Sequence, residues 1–224
     1  MKKTIIAFLF CLLIPFSIDA KSDRLVINLK FKPNNKVKVH PRNVPAVKIF
    51  FEHIKDARSN PRTIGENLED KHERILILCP DDDEASDFVR SALIKEFRGK
   101  DFSVEDQAGT ASKIITGTLV KFWTVETSHY DSQTQLRIEV KDKNGRLYHN
   151  RTYTGTGRNR GRSLQDNNYY ECMSDSMTSI IDKLFSDREF LSALSDISPS
   201  SGVKGKGSSP APAPSKVKPG FGPK

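Results

Sequence analysis

Hydrophobic and polar positions alternate most regularly in the middle of the chain, where they predict a meander of three antiparallel strands. Residues 113–126 form the first strand and carry apolar side chains on both faces for much of its length. Residues 134–141 form the second strand, in which apolar and polar residues alternate strictly. Asn144-Gly145 supplies the two positive-φ residues of a type I′ hairpin, after which residues 146–156 return. We expect this meander to be the scaffold of the fold, and it carries no recognisable chemistry.

Two other stretches repeat apolar residues every three or four positions and predict amphipathic helices. The first, residues 85–97, follows four acidic residues at 81–84 and ends at Gly99. We interpret these acids as an Asp N-cap with charges favoured by the helix dipole. A Ca²⁺ or Mg²⁺ site is the alternative, but no glycine-bearing calcium loop follows. The second helix begins near Asn167, and its apolar stripe extends beyond Asp187.

Shorter apolar runs predict further strands at residues 25–31, 46–54, 75–79 and 102–104. A polar turn follows the second of these, and within it Asp56 and Arg58 are expected to tie the turn together. The sequence therefore predicts an α+β domain: a mainly antiparallel sheet of about five or six strands with two amphipathic helices packed on one face.

The positive charge of the chain is concentrated at its two ends. Of the net charge of +8, residues 1–20 carry +1, residues 21–45 carry +6 and residues 197–224 carry +5, which leaves −4 for residues 46–196. A domain that binds nucleic acid carries its positive charge on the fold, so we expect no nucleic-acid partner. The basic ends are instead expected to contact anionic lipid or glycan.

These charge and composition boundaries predict four regions. Residues 1–20 are a signal peptide, residues 21–45 a basic N-terminal strand and arm, and residues 46–196 the α+β domain. Residues 197–224 are rich in Pro, Ala, Ser and Lys with almost nothing to bury, and are predicted to be disordered.

The first 20 residues predict export to the periplasm. Lys2-Lys3 precede an apolar run at residues 5–14, and this run is shorter than the roughly 20 apolar residues that span a bilayer. Cys11 raises the alternative of a lipid anchor and outer-membrane association. A lipobox needs a small residue before the cysteine, and Phe10 occupies that position, so the anchor is disfavoured. An uncleaved anchor is the other alternative.

The sequence carries no motif for a metal, a cofactor or a catalytic group. Its five histidines lack metal-ligand spacing, and G-x-S-x-G, H-E-x-x-H and P-loop patterns are absent. We therefore expect no catalytic residues, no cofactor and no metal, with a hydrolase assembled from distant positions as the alternative. Cys79 and Cys172 are interpreted as buried thiols, and a disulfide between them is the alternative.

One basic cluster stands out after the meander. Arg158, Arg160 and Arg162 alternate in a glycine-rich stretch and predict a small anion-binding patch, with a solvated loop as the alternative. The glycines at Gly155 and Gly157 do not have dinucleotide-binding spacing.

The order of these signals resembles the YajG family of uncharacterised bacterial lipoproteins. The resemblance covers residues 25–195 and rests on short motifs: the strands at 25–33 and 47–54, Asp56-x-Arg58, Ile64-Gly65, the helix at 85–97, Gly117-x-Leu119, Asn144-Gly145 with Tyr148, and Asp187-x-Glu189-Phe190-Leu191. It implies a small α/β domain attached to the cell envelope, with no established catalytic residues. The chain departs from the family pattern in its poorly formed lipid-attachment site and its additional tail.

Together these observations predict a non-enzymatic cell-envelope protein, a protein-interaction or assembly component whose partner is another envelope protein. The alternative is a periplasmic binding module for an anionic or glycan ligand that uses the three arginines and the meander face. The sequence leaves the oligomeric state open.

Overall fold

The computed structural model describes residues 24–41, 44, 46–70 and 73–195. The predicted signal peptide, Cys11 and the predicted disordered tail lie outside the described residues. The strands are β1 (Arg24–Val26), β2 (Lys48–Phe51), β3 (Lys55–Asp56), β4 (Thr63–Asn67), β5 (Ile75–Leu78), β6 (Ser103–Glu105), β7 (Lys113–Glu126), β8 (Tyr130–Asp142) and β9 (Leu147–Asn159). The helices are α1 (Glu84–Arg98), α2 (Asp166–Ser186) and α3 (Arg188–Leu194).

Strand β7 is the centre of one mixed sheet. One edge of β7 pairs with β8 in antiparallel fashion along its whole length, and β8 pairs with β9 in the same way. The other edge of β7 is shared by three short parallel strands: β2 near its start, β3 in its middle and β4 near its end. Strand β6 extends the sheet beyond β2, and β5 and β1 extend it beyond β4.

This architecture confirms the predicted α+β class. The long pairs are antiparallel as expected, but the sheet is mixed and has nine strands in the described residues, more than the five or six predicted. Two of the short strands on the parallel edge of β7, β3 and β4, were not predicted, because they carry too few alternating positions to be recognised in sequence.

Helices α1 and α2 cover one face of the sheet. Every second residue of β7 and β8 is buried beneath them, and α2 lies mainly on β8 and β9. The stripe of α2 predicted from its periodicity is buried in this core: Met173, Met177, Ile180, Ile181, Leu184 and Phe185. The alternate residues of β7 point to the opposite face and are only partly buried. We call this opposite face, on which no helix of the described residues packs, the uncovered sheet face.

Trp123 lies on the uncovered sheet face, which corrects the expectation from its strand. Apolar side chains on both faces of β7, among them Leu119 and Trp123, are typical of a strand that is covered on both sides. Leu119 is fully buried beneath the helices, whereas Trp123 points away from them and is half-buried. The reason is the pleat of β7, which places only one of its two apolar faces toward the helix layer.

The β8–β9 hairpin differs from the predicted type I′ turn. Only Gly145 has a positive φ, at 82°, while Asn144 does not. The turn is therefore a type I turn followed by a left-handed glycine. The carboxylate of Asp142 accepts hydrogen bonds from the backbone N–H groups of Asn144 (2.8 Å) and Arg146 (3.0 Å), which stabilises this alternative geometry.

The predicted helix termini are correct in position but not in detail. Asp83 occupies the N-cap position of α1, yet its side chain makes no capping hydrogen bond. The predicted C-terminal helix is interrupted at Asp187, whose carboxylate caps α3 by accepting from the backbone of Glu189 and Phe190. Cys79 and Cys172 are free and buried, and burial raises the pKa of their thiols to about 12 and about 11.

Candidate functional site

The basic arm is bound along the outside of α2. The backbone N–H of Asn35 donates to Asp175 (2.9 Å), and those of Lys38 and Val39 donate to Asp182 (2.8 and 2.9 Å). The ammonium group of Lys32 donates to Glu171 (2.7 Å). The arm forms no strand after Val26, so its N–H groups need other acceptors, and the acidic flank of α2 supplies them.

A groove of about 1010 Å³ opens between this arm, α2 and the free edge of β9. We call it the arm groove. Six of its lining residues are basic and four are acidic: Lys36, Lys38, Arg151, Arg158, Lys183 and Arg188, and Asp175, Asp182, Asp187 and Glu189.

All four acidic side chains of the arm groove are already engaged by groups of the protein. Asp175 and Asp182 bind the arm, and Asp187 accepts from the N-terminus of α3 as well as from Arg151 and Tyr153. Glu189 accepts from the same guanidinium of Arg151 at 2.9 Å. The charges of Asp187 and Glu189 are therefore paired with Arg151, and oxygens of Asp175 and Asp182 are occupied by backbone N–H groups of the arm.

Three basic side chains of the arm groove have no acidic partner among the described residues. Lys36, Lys38 and Arg188 are exposed, and none of them forms an ion pair with another described residue. Lys183 donates to the carbonyl oxygen of Thr154 at the edge of β9. The arm groove thus has more cationic groups available than anionic ones, and this excess favours an anionic ligand.

Glycines in β9 bring α2 close to the sheet beside the arm groove. A Cβ atom at Gly155 would lie 2.0 Å from the carbonyl oxygen of Ser176, and one at Gly157 would lie 2.1 Å from that of Cys172. The hydroxyl of Ser132 also donates to the carbonyl oxygen of Cys172 at 2.6 Å. Gly155 and Gly157 therefore form a helix-packing site within β9.

The structure places only one of the three predicted anion-binding residues at the arm groove. Arg158 lies near the end of β9, lines the groove and donates two hydrogen bonds to Asp131 (2.6 and 3.0 Å). These hydrogen bonds lower the pKa of the Asp131 carboxyl. Arg160 and Arg162 follow the strand, are exposed and do not line the groove.

The loop that carries Arg160 and Arg162 is anchored through its backbone. The carbonyl oxygen of Arg162 accepts hydrogen bonds from the hydroxyl of Tyr130 (2.6 Å) and the amide of Asn168 (3.0 Å). The buried carboxylate of Glu126 accepts from the backbone N–H of Leu164 (3.1 Å) and from the hydroxyl of Tyr169. The loop is therefore fixed, while both arginine side chains extend into solvent.

A chain of hydrogen bonds lies at one end of the arm groove. The hydroxyl of Tyr153 donates to Asp187 (2.7 Å) and therefore accepts from Nε2 of His149 (2.9 Å). Burial lowers the pKa of His149 and raises the pKa of Tyr153. Both groups are neutral near pH 7, and their contacts join α3 to β9. Sequence reasoning did not single out this chain, because its members lie on two elements that only the fold brings together.

Neither a metal cluster nor a membrane-spanning helix is found in the described part of the chain. Within residues 24–41, 44, 46–70 and 73–195, no group of three His, Cys, Asp or Glu side chains is placed to hold a metal ion. Among the helices of the same residues, none combines the length and apolar character needed to cross a bilayer.

No protein-family model matches the chain, and no curated protein matches it. Solved structures with a similar arrangement include protein XCC0632 of Xanthomonas campestris, a DUF330 protein, with 12% identity over 72% of this chain and 91% of that chain and a TM-score of 0.47. They also include the PelC dodecamer of Paraburkholderia phytofirmans (16% identity, 70% and 93%, TM-score 0.40) and lipoprotein GNA1162 of Neisseria meningitidis (6% identity, 63% and 99%, TM-score 0.36). With TM-scores below 0.5, these likenesses carry no argument about what the chain does.

Proposed function

We propose that the chain is an exported, non-enzymatic protein of the cell envelope that acts by binding, as its resemblance to the YajG family implies. The signal-peptide pattern at residues 1–20 supports export to the periplasm. We also propose that the protein associates with the outer membrane. This association does not require acylation of Cys11.

The arm groove is the proposed binding site, and its ligand is an anionic glycan. The observation that carries this proposal is the set of exposed cations without acidic partners: Lys36, Lys38 and Arg188. The hydroxyl groups of Ser179 and Ser186 and the rim of β9 add hydrogen-bonding groups along the groove. A phosphorylated or carboxylated glycan supplies both the negative charge and the hydroxyl groups that such a lining recognises.

Thermal unfolding in the presence of two soluble probes tests this site. Deacylated lipopolysaccharide presents a phosphorylated glycan, and polygalacturonate presents a carboxylated one. A ligand at about 100 times its Kd stabilises the folded state by about 2.7 kcal/mol, so we expect a clear rise in Tm with at least one probe. The rise is expected to shrink as salt is added, because salt screens exposed charges.

Two triple variants identify the surface that binds the probes. K36Q/K38Q/R188Q removes the unmatched cations of the arm groove and is expected to abolish the rise in Tm. R137Q/K141Q/K143Q removes the same charge from the far side of the hairpin and is expected to retain it. An unchanged Tm for the wild-type protein with both probes, or an equal loss in both variants, contradicts the proposal.

A protein partner is the second candidate, and the uncovered sheet face is the observation that favours it. Val26 on this face is 50% exposed, and Leu76 and Leu78 beside it are only partly buried. An assembly component is expected to bury such side chains against its partner. A photo-crosslinking residue at Val26 should then yield a defined adduct with an envelope protein in cells, while one at Lys143 should not. A crosslinking pattern that is the same at both positions counts against this candidate.

A further inference from the structure

The sheet divides between β3 and β4, and a pocket of about 540 Å³ opens at this division on the uncovered sheet face. We call it the split pocket. Strands β3 and β4 both pair with β7, and the register of β7 shifts between Leu119 and Lys121 at the same level. The pocket therefore lies where two neighbouring strands separate along a common partner. Its volume is within the range of about 300–1,000 Å³ typical of ligand sites.

Arg58 builds the floor of the split pocket and has no N–H group left for a ligand. Its Nε and Nη2 donate to Asp56, its Nη1 donates to the carbonyl oxygens of Thr63 (3.0 Å) and Phe122 (3.2 Å), and its Nη2 also donates to that of Pro61. All five donors of the guanidinium are thus used. The pocket floor is therefore closed to a simple anion despite the buried arginine.

The wall of the split pocket is an aromatic surface with small apolar neighbours. Trp123, the one tryptophan of the chain, is half-buried there, beside Leu76 and Val120. Val120 is 45% exposed, an unusual exposure for a valine on a central strand. An indole held by its strand and open on one side offers a flat apolar contact for a ring.

Polar groups surround this wall. Thr63 lines the pocket at 7% exposure, and its buried hydroxyl oxygen has no hydrogen-bond partner within the described residues. The Oδ1 of Asn60 accepts from the backbone of Thr63 (3.3 Å), which leaves the two N–H groups of its amide for a ligand. Lys121 and Arg74 stand at the rim, each already paired on one side, with Gln133 and Glu66.

We propose that the split pocket binds a neutral sugar ring of a glycan, with the ring stacked on Trp123. A sugar ring has one apolar C–H face and a rim of hydroxyl groups, which matches one indole wall surrounded by Asn60, Thr63 and the rim cations. The site is on the opposite side of the sheet from the helix layer and does not depend on the arm groove.

The chain has a single tryptophan, so a change in tryptophan emission reports on the surroundings of Trp123. Trp123 lines the split pocket and also a neighbouring cavity beside Gln133 and Arg158, so variants are needed to assign the change. The probes are chitotetraose, cellotetraose and maltotetraose, each titrated to millimolar concentration. We expect a saturable change in emission with at least one of them, confirmed by isothermal titration calorimetry on the same samples. No saturable change and no heat with any of the three overturns the proposal.

Variants then assign the signal to the pocket. We expect Trp123→Ala to weaken calorimetric binding by at least about tenfold, as removal of a central aromatic anchor commonly does. Asn60→Ala is expected to weaken binding while leaving the emission of Trp123 in place as a readout. Thr152→Ala, on the same face but outside the pocket, and K36Q/K38Q/R188Q in the arm groove should both bind as the wild type does.

Two other results are decisive. If Trp123→Ala binds the sugars with unchanged affinity while it melts as the wild type does, the ring does not stack on Trp123 and the proposal is wrong. If solubilised envelope protein changes the emission and no sugar does, the pocket serves a protein partner and the proposal is also wrong. Neither outcome bears on the arm groove, whose test uses charged probes and melting temperature.

Discussion

Arg58 is the residue whose side chain replaces missing backbone pairing at the centre of the sheet. Its partner Asp56 lies at the end of β3, and both side chains are nearly buried, at 8% and 9% exposure. The guanidinium follows β3 and donates to the carbonyl oxygens of Thr63 at the start of β4 and of Phe122 on β7. It therefore connects the three strands at the stretch of β7 between its pairing with β3 and its pairing with β4. The short motif Asp56-x-Arg58, predicted to tie a turn together, is thus confirmed and reaches further than the turn.

We expect Arg58→Lys to lower the free energy of unfolding by about 2–4 kcal/mol. A lysine keeps the charge but cannot occupy the fork geometry, so buried carbonyl oxygens and part of Asp56 lose their donors. Urea unfolding followed by circular dichroism measures the loss. Arg137→Lys, at an exposed position, is the matched control and should change stability by less than about 0.5 kcal/mol. Equal stability of the two variants contradicts this role for Arg58.

His149 is expected to make the fold less stable in mild acid. Burial lowers its pKa in the folded state, with Asp187 opposing this effect and Arg151 reinforcing it. Below the unfolded pKa of about 6.5 the unfolded chain therefore binds more protons than the folded one, and stability falls as the pH falls.

Urea midpoints between pH 7.5 and pH 5 measure this dependence. We expect His149→Gln, which retains a donor for Tyr153, to show a shallower decline than the wild type. A decline as steep in His149→Gln as in the wild type would exclude His149 as its source.

At the scale of elements, the contact between β9 and α2 determines where the long helix lies. The apolar periodicity of α2 predicted which face of the helix is buried. It did not predict that the helix backbone lies so close to β9 that the strand has no room for a Cβ atom there. Gly155 and Gly157 permit this approach on β9, and the carbonyl oxygens of Ser176 and Cys172 lie opposite them on α2. The free edge of β9 and the exposed flank of α2 are thereby held at the spacing that forms the arm groove.

Gly155→Ala is expected to lower the free energy of unfolding by about 3 kcal/mol, because the new methyl group meets backbone that no rotamer change can move. Gly109→Ala is the matched control, since a Cβ atom there meets nothing within 4 Å. Thermal unfolding of both variants measures the difference. Should the two melt alike, the separation of α2 and β9 is not set by this contact.

At the scale of the molecule, the arm joins the N-terminal part of the described chain to its last long helix. Its backbone donates to Asp175 and Asp182, its Lys32 binds Glu171, and the carboxylate of Glu84 on α1 accepts from Leu29 (3.0 Å). Ile27 and Val37 also belong to the common core. The basic arm thus lies on the acidic flank of α2, and residues of both line the arm groove.

We expect Asp182→Ala to release the arm locally without unfolding the core. Two backbone N–H groups lose a charged acceptor, which costs about 1.5–3 kcal/mol in this segment. Hydrogen–deuterium exchange should accelerate at Lys38 and Val39 and remain slow in β7. Asp82→Ala, at an exposed acidic position ahead of α1, should leave exchange in the arm unchanged. Faster exchange throughout the sheet would instead show that the arm is needed for the whole fold.

Local patterns in the sequence were sufficient to predict the α+β class, both ends of β7, the buried stripe of α2 and the pairing of Asp56 with Arg58. These features depend on residues close together in the chain, whose alternation directly reflects burial. Strand β4 was missed because Thr63-Ile-Gly-Glu-Asn has one apolar residue, and only its place between β5 and β7 makes it a strand.

The arm groove and the split pocket depend on contacts that no local pattern contains. Asn35 meets Asp175 across 140 residues, and Arg58 meets the carbonyl oxygen of Phe122 across 64. The pleat of β7 then decides that Trp123 faces away from the helices. Composition told us that the ends of the chain are basic, but only the packing of the arm on α2 showed which of those charges remain without partners.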